Sequence, residues 1–108
     1  MMQFVEEYSE ELDHTFIIPE LELEAGEEIE SFLVRERPSI FRALAVAIEL
    51  LTALEAKEVP TFVIRDTDML FKLNREDAGY SVDKCIEYFT EIEEYEKCAR
   101  LFNLKSKL

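Results

Sequence analysis

The sequence predicts one α+β domain dominated by helices, with about five helices, a small two-stranded antiparallel sheet and a C-terminal helical hairpin. Three observations predict it. Apolar residues recur at three- and four-residue spacing along most of the chain, as in amphipathic helices. Two short stretches break that rhythm: one alternates apolar with acidic residues and the other is rich in β-branched residues, which is strand grammar. Hydrophobic residues make up 48% of 108 positions against two glycines and three prolines, so one core can form and a disordered or collagen-like chain is excluded. Residues 1–108 are read as a single domain.

In order along the chain, Phe4, Val5, Tyr8 and Leu12 share one face of a helix over residues 3–12. Residues 15–24, TFIIPELELE, alternate Leu21 and Leu23 with Glu20, Glu22 and Glu24 and read as a strand. Pro19 cannot donate a ladder hydrogen bond, which places this strand at a sheet edge. Gly26 breaks the chain, and Ile29, Phe32 and Leu33 mark a helix ending near Arg37. Pro38 opens the central helix, 38–57, where Ile40, Leu44, Ala47, Leu51 and Leu54 line one face and few polar residues remain, so it is the expected buried spine. Val59–Ile64 is the second strand, paired with the first. Asp66 or Thr67 caps a short helix through Leu73, and NREDAG, 74–79, reads as a turn. Residues 81–108 carry two apolar stripes, Val82, Cys85, Ile86 and Phe89, then Tyr95, Cys98, Leu101, Phe102 and Leu108, and form a hairpin turning near Ile92–Glu94.

The net charge of −13 is unevenly spread. Residues 1–34 hold eleven acids and no Lys or Arg, whereas residues 35–108 hold fourteen acids and twelve bases. Such a surface repels phosphate backbones, which argues against direct binding of nucleic acid or an anionic membrane and favours a protein partner with a basic surface. No apolar run approaches the roughly eighteen residues of a membrane span, and the opening MMQFVEEYSEEL lacks the basic start and apolar middle of a signal peptide. A cytoplasmic protein with Cys85 and Cys98 reduced is expected.

Catalytic equipment is sparse. Asp66 and Asp68 follow a strand, as Mg²⁺-holding carboxylates do in phosphotransfer enzymes, but an apolar segment follows that Asp66 is suited to cap. Asp83, Glu87, Glu91 and Glu94 share a helical face, yet a di-iron site also needs Glu-x-x-His pairs, and the single histidine, His14, is read as an exposed turn residue. Both cysteines fall on apolar stripes where thiolates are disfavoured, and two glycines, Gly26 and Gly79, make no phosphate loop. No cofactor and no metal are expected.

The segment Cys85–Leu108, CIEYFTEIEEYEKCARLFNLKSKL, resembles the UVR motif, a helical hairpin of bacterial excision-repair subunits and protease adaptors, through EEYEKCARL at Glu93–Leu101. Phe102 and Asn103 stand where the family has Arg-Asp. The resemblance implies a protein-contact role for the hairpin. In size, acidity and lack of catalytic motifs the chain also looks like the regulators carried by phages and mobile elements. The reading is therefore a non-enzymatic adaptor or inhibitor that docks through Glu20, Glu22, Glu24, Glu27 and Glu28, through Glu91, Glu94, Tyr95 and Phe102 of the hairpin, or through both. Two readings compete with it, a DNA-mimic inhibitor of a nucleic-acid-binding enzyme and a small Mg²⁺-dependent phosphotransfer enzyme. The apolar spine can also be buried against a second copy of the chain.

Overall fold

The computed structural model describes residues 3–108. Its elements are β1 (Gln3–Ser9), β2 (His14–Leu21), α1 (Ile29–Arg35), α2 (Arg37–Ala53), β3 (Glu58–Ile64), β4 (Leu70–Asn74), α3 (Arg75–Glu91) and α4 (Tyr95–Lys105). The order is therefore a hairpin followed by two helices, twice over. The sheet runs β1-β2-β3-β4, with β1–β2 and β3–β4 antiparallel and β2–β3 parallel. Parallel strands need a long crossover, and α1 with α2 supplies it.

Strand register fixes what each face presents. Phe4 pairs with Pro19 and Leu21 with Ile64, so alternation puts Phe4, Ile17, Pro19 and Leu21 on one face and Val5, Phe16 and Ile18 on the other. Leu21, Phe62 and Ile64 pack with Phe32 of α1, whereas Phe16 and Ile18 of the other set are buried in the cluster built on α2 and α3. The larger cluster joins Ala47, Ile48 and Leu51 of α2 to Val59 and Leu73 of the sheet and to Ala78, Val82, Cys85 and Phe89 of α3. Within β3 the register moves from Pro60 opposite Lys72 to Phe62 opposite Phe71, so Thr61 is an extra residue at a bulge.

Helix ends explain the turns. Glu55 and Glu93, non-glycine residues at φ 52° and 62°, stop α2 and α3. In each, an amide two residues past the C-cap bonds back to the last turn, Ala56 N to Leu51 O at 3.1 Å and Glu94 N to Phe89 O at 2.8 Å. Arg75 then donates to the carbonyls of Ala56 and Leu51 at 2.8 Å each, tying the start of α3 to the end of α2.

Four expectations are corrected. Among the described residues there are four helices and a four-stranded mixed sheet, not about five helices and a two-stranded antiparallel pair. Residues 3–12 are strand β1 and the start of a turn, because the segment's hydrogen bonds go to β2 and not to its own backbone. Strand β2 lies inside the sheet and runs parallel to β3, since the residues between them form helices and return the chain in the same direction. The helix expected up to Leu73 is strand β4, and NREDAG is the first turn of α3, with Asn74 at the N-cap position and Glu76 and Asp77 where the helix dipole favours acids. The hairpin thus begins at Arg75 and turns over Ile92–Glu94.

Candidate functional site

The acids expected to dock a partner sit against two arginines. The end of β2 and the loop after it approach Arg65, which follows β3, and Arg35 at the end of α1. Arg65 donates from Nε to Glu20 at 2.7 Å and from Nη1 to Glu22 at 3.2 Å. Arg35 grips Glu27 with two bonds of 2.7 and 2.9 Å, bonds Glu36 at 2.6 Å and the Glu22 carbonyl at 2.7 Å, and lies 3.9 Å from Glu24. The hydrogen bond from Arg35 holds the Glu27 carboxyl below the usual carboxylate range against a smaller opposing effect of desolvation. The Glu27 and Glu20 carboxylates in turn raise the Arg35 and Arg65 guanidiniums. Glu28 alone of the five expected acids has no ion pair among the described residues, and it is exposed at the N-cap position of α1.

The acidic stripe of α3 and its surroundings is partnered too. Glu91 meets Arg37 at 3.3 Å, Glu94 meets Lys97 at 2.7 Å, Asp83 meets Lys105 at 2.8 Å and Glu87 meets Lys84 at 3.6 Å. Tyr95 and Phe102 project from α4 at 60% and 68% exposure.

Uncompensated charge collects in the β1–β2 hairpin, whose first strand the sequence pattern had led us to expect as a helix. Glu6, Glu7, Glu10, Glu11 and Asp13 lie on this hairpin, and none forms an ion pair among the described residues. Asp13 accepts a hydrogen bond from the Tyr8 hydroxyl at 2.9 Å, which raises the Tyr8 pKa. Phe4 and Tyr8 of edge strand β1 and Ile17 of β2 are exposed beside these acids.

Among the described residues, Asp66, Asp68, His14 and the two cysteines do not converge on one site. Asp66, at φ 60°, and Asp68 are exposed on the β3–β4 turn, where Thr67 and not an aspartate organises the backbone: its hydroxyl donates to Ile64 O at 2.7 Å and accepts from Met69 N at 3.1 Å. Asp66 therefore caps no helix. No group of three or more His, Cys, Asp or Glu among the described residues is arranged to hold a metal ion. His14 is the first residue of β2, half-buried and edge-on to Phe16 with ring centroids 4.6 Å apart, not an exposed turn residue. Both cysteines are free, and burial pushes the Cys85 thiol up to about 12. Among the described residues no helix is long and apolar enough to cross a membrane.

A groove was not legible in the sequence. It runs between α2 and the β1–β2 hairpin, holds about 270 Å³, and is walled by Phe4, Ile17 and Pro19 on the strand side and by Ala43, Val46 and Leu50 on the helix side. Among the described residues Arg42 is its one charged lining residue, and Thr61 of the β3 bulge lines it too. The one sequence signal for it is a single arginine inside the apolar run IFRALAVAIELL. With this geometry in hand, comparison with known proteins adds no relative: no protein-family model, no curated protein and no solved structure matches the chain.

Proposed function

We propose that the chain is a non-enzymatic protein-binding adaptor or inhibitor that captures a partner with a basic surface, and that the β1–β2 hairpin is its principal contact. The observation that carries this reading is the contrast in compensation: Glu20, Glu22 and Glu27 are bonded to Arg65 and Arg35, whereas the five hairpin acids have no ion pair among the described residues. An uncompensated patch keeps its field and steers an oppositely charged protein. Exposed Phe4, Tyr8 and Ile17 beside it provide apolar area that steering alone lacks. A free edge strand bearing carboxylates also resists pairing with its own kind. Tyr95 and Phe102 on α4 form a second contact surface, in keeping with the role implied by the UVR resemblance.

The test is capture from a cell lysate on the immobilised wild-type chain and on a variant with Glu6, Glu7, Glu10 and Glu11 changed to Gln, read by mass spectrometry. A partner held by the wild type in a salt-sensitive manner and lost by the variant, with circular dichroism unchanged, is expected. A partner held equally by both overturns the reading. Duplex DNA as competitor then sorts the partner, since displacement marks a nucleic-acid-binding protein and hence the DNA-mimic form of inhibition.

A further inference from the structure

We propose that two copies of the chain associate as a closed two-fold pair, in which the β1–β2 hairpin of each copy lies over the groove between α2 and α4 of the other. This contact goes beyond the capture of a basic partner and does not rest on it. The groove holds about 330 Å³ and opens between Ala45 and Val46 of α2 and Leu104 of α4, above the buried Phe89 and Leu101. Its charged lining is Arg42, Lys97, Arg100 and Glu49, three bases to one acid in a chain with 12 bases and 25 acids. An apolar slot rimmed by cations selects an occupant that combines apolar side chains with carboxylates. Arg42 has no ion pair or hydrogen bond among the described residues. Lys97 and Arg100 bond Glu94 and Glu49 within the chain, but both pairs lie at the surface, where such pairs contribute little and can be shared with an incoming carboxylate.

The chain itself carries that occupant. Antiparallel register sets Glu6 opposite Ile17 and Phe4 opposite Pro19, so one face of the hairpin presents Phe4, Glu6, Tyr8 and Ile17 together. Phe4 and Ile17 are 58% and 65% exposed, and Glu6 between them is exposed with no ion pair among the described residues. This face is the chemical complement of the groove: apolar side chains around a free carboxylate against an apolar floor with cations at its rim.

Helix α2 lets both contacts form at once. At roughly 100° per residue, Ala43, Ala47 and Leu50 turn toward the hairpin and Ala45 and Glu49 toward α4, while Arg42 and Val46 line the spaces on both sides and form the ridge between them. Hairpin and basic groove therefore flank one ridge on opposite sides. A two-fold axis along that ridge sets Val46, 52% exposed, against its counterpart and carries each hairpin onto the other copy's groove. Glu6 of each copy then meets the cations of the other, and the contact closes on two copies with no open end from which a fibre could grow. The acids of the turn, Glu10, Glu11 and Asp13, are left to a protein partner. Because each copy carries a net charge of −13, long-range repulsion keeps the pair weak, mostly dimer at about 1 mM chain and mostly monomer at about 10 μM, for a dissociation constant on the order of 100 μM.

Sedimentation equilibrium of the full chain across that range, with amide shifts of the ¹⁵N-labelled chain followed on dilution, tests the pair. The amides of Phe4, Glu6, Ile17, Val46 and Leu104 are expected to shift in step with the dimer fraction. Glu6→Lys is expected to weaken association about tenfold although it lowers the net negative charge by two and so relieves general repulsion. The double variant Lys97→Glu with Arg100→Glu is expected to lose association likewise, and an equimolar mixture of the two variants to recover it, because both contacts between the copies again join opposite charges. A chain that stays monomeric at about 1 mM, dilution shifts confined to other surfaces, association unchanged or strengthened in Glu6→Lys, or no recovery in a mixture of variants whose circular dichroism matches the wild type overturns the proposal. The dilution shifts need no variant, so they decide the matter even where a substitution disturbs the fold.

Discussion

Hairpins β1–β2 and β3–β4 share one topology, each an antiparallel pair followed by two helices, but they differ in what covers them. Val59, Phe62, Ile64 and Leu73 of the second hairpin are buried beneath the helices, while Phe4, Tyr8 and Ile17 of the first stand in solvent. In β2, Leu21 reaches the helical layer through Phe32, and four residues earlier on the same face Ile17 does not. Phe16 and Ile18 of the first hairpin do join the core, so the contrast lies in Phe4, Tyr8 and Ile17, which the same local grammar leaves as an open contact surface. What decides is which side chains meet the cluster around α2: Phe16 and Ile18 join it with Ala47, whereas Phe4 and Ile17 stay at the groove beside that helix.

The largest effect that sharpens this comparison comes from truncating one residue in each hairpin. Phe62 is buried and stacks on Phe71 with centroids 4.5 Å apart, so Phe62→Ala is expected to lower unfolding stability by about 3–5 kcal/mol in urea titration. Ile17→Ala at an exposed position should change it by no more than about 0.5 kcal/mol. Comparable losses in the two variants would show that something covers the first hairpin in solution, a second copy of the chain being the obvious cover.

A smaller effect separates the two sets of acids. Glu27 titrates below its ordinary range because Arg35 bonds its ionised form, so the folded state binds that proton less readily than the unfolded chain. The resulting stability is present above the ordinary glutamate range and is lost as pH falls from there through the lowered folded-state value. Arg35→Gln is expected to lower the urea midpoint at neutral pH and to flatten its fall on acidification. A slope on acidification identical to that of the wild type would show that this cluster does not set the acid response.

How much of this could be read from the sequence follows from the range of the forces involved. The helices rested on local periodicity: Ile40, Leu44, Ala47 and Leu51 mark α2, and Val82, Cys85 and Phe89 mark α3. The strands of the first hairpin did not. Phe4, Val5, Tyr8 and Leu12 satisfy helical spacing, and only pairing with residues 14–20, which the segment's own pattern does not encode, makes them a strand. The parallel β2–β3 pairing was in reach, because two strands separated by two helices imply a crossover. So was the start of α3, where Asn74, Glu76 and Asp77 form an N-terminal signature that also reads as a turn. Charge misled for a related reason: eleven acids without a base among residues 1–34 describe a stretch of chain, whereas Arg35 lies one position beyond it and Arg65 arrives by folding.

The smallest expected effect bears on that last point. Glu10 and Glu27 are both glutamates of the acidic N-terminal third, and a sequence count treats them alike. In the fold, Glu10 sits in the β1–β2 turn region with no ion pair among the described residues, so Glu10→Gln removes only repulsion from its neighbours and should leave the urea midpoint level or slightly raised, within about 0.5 kcal/mol. Glu27→Gln instead strips Arg35 of its two-bond partner and disconnects α1 from the loop before it, so its midpoint should fall. The sign of the difference carries the argument, because salt at moderate concentration weakens both terms but cannot exchange them. If Glu10→Gln destabilises the chain as much as Glu27→Gln does, the hairpin acids have a structural partner and the contact surface proposed for them must be sought elsewhere.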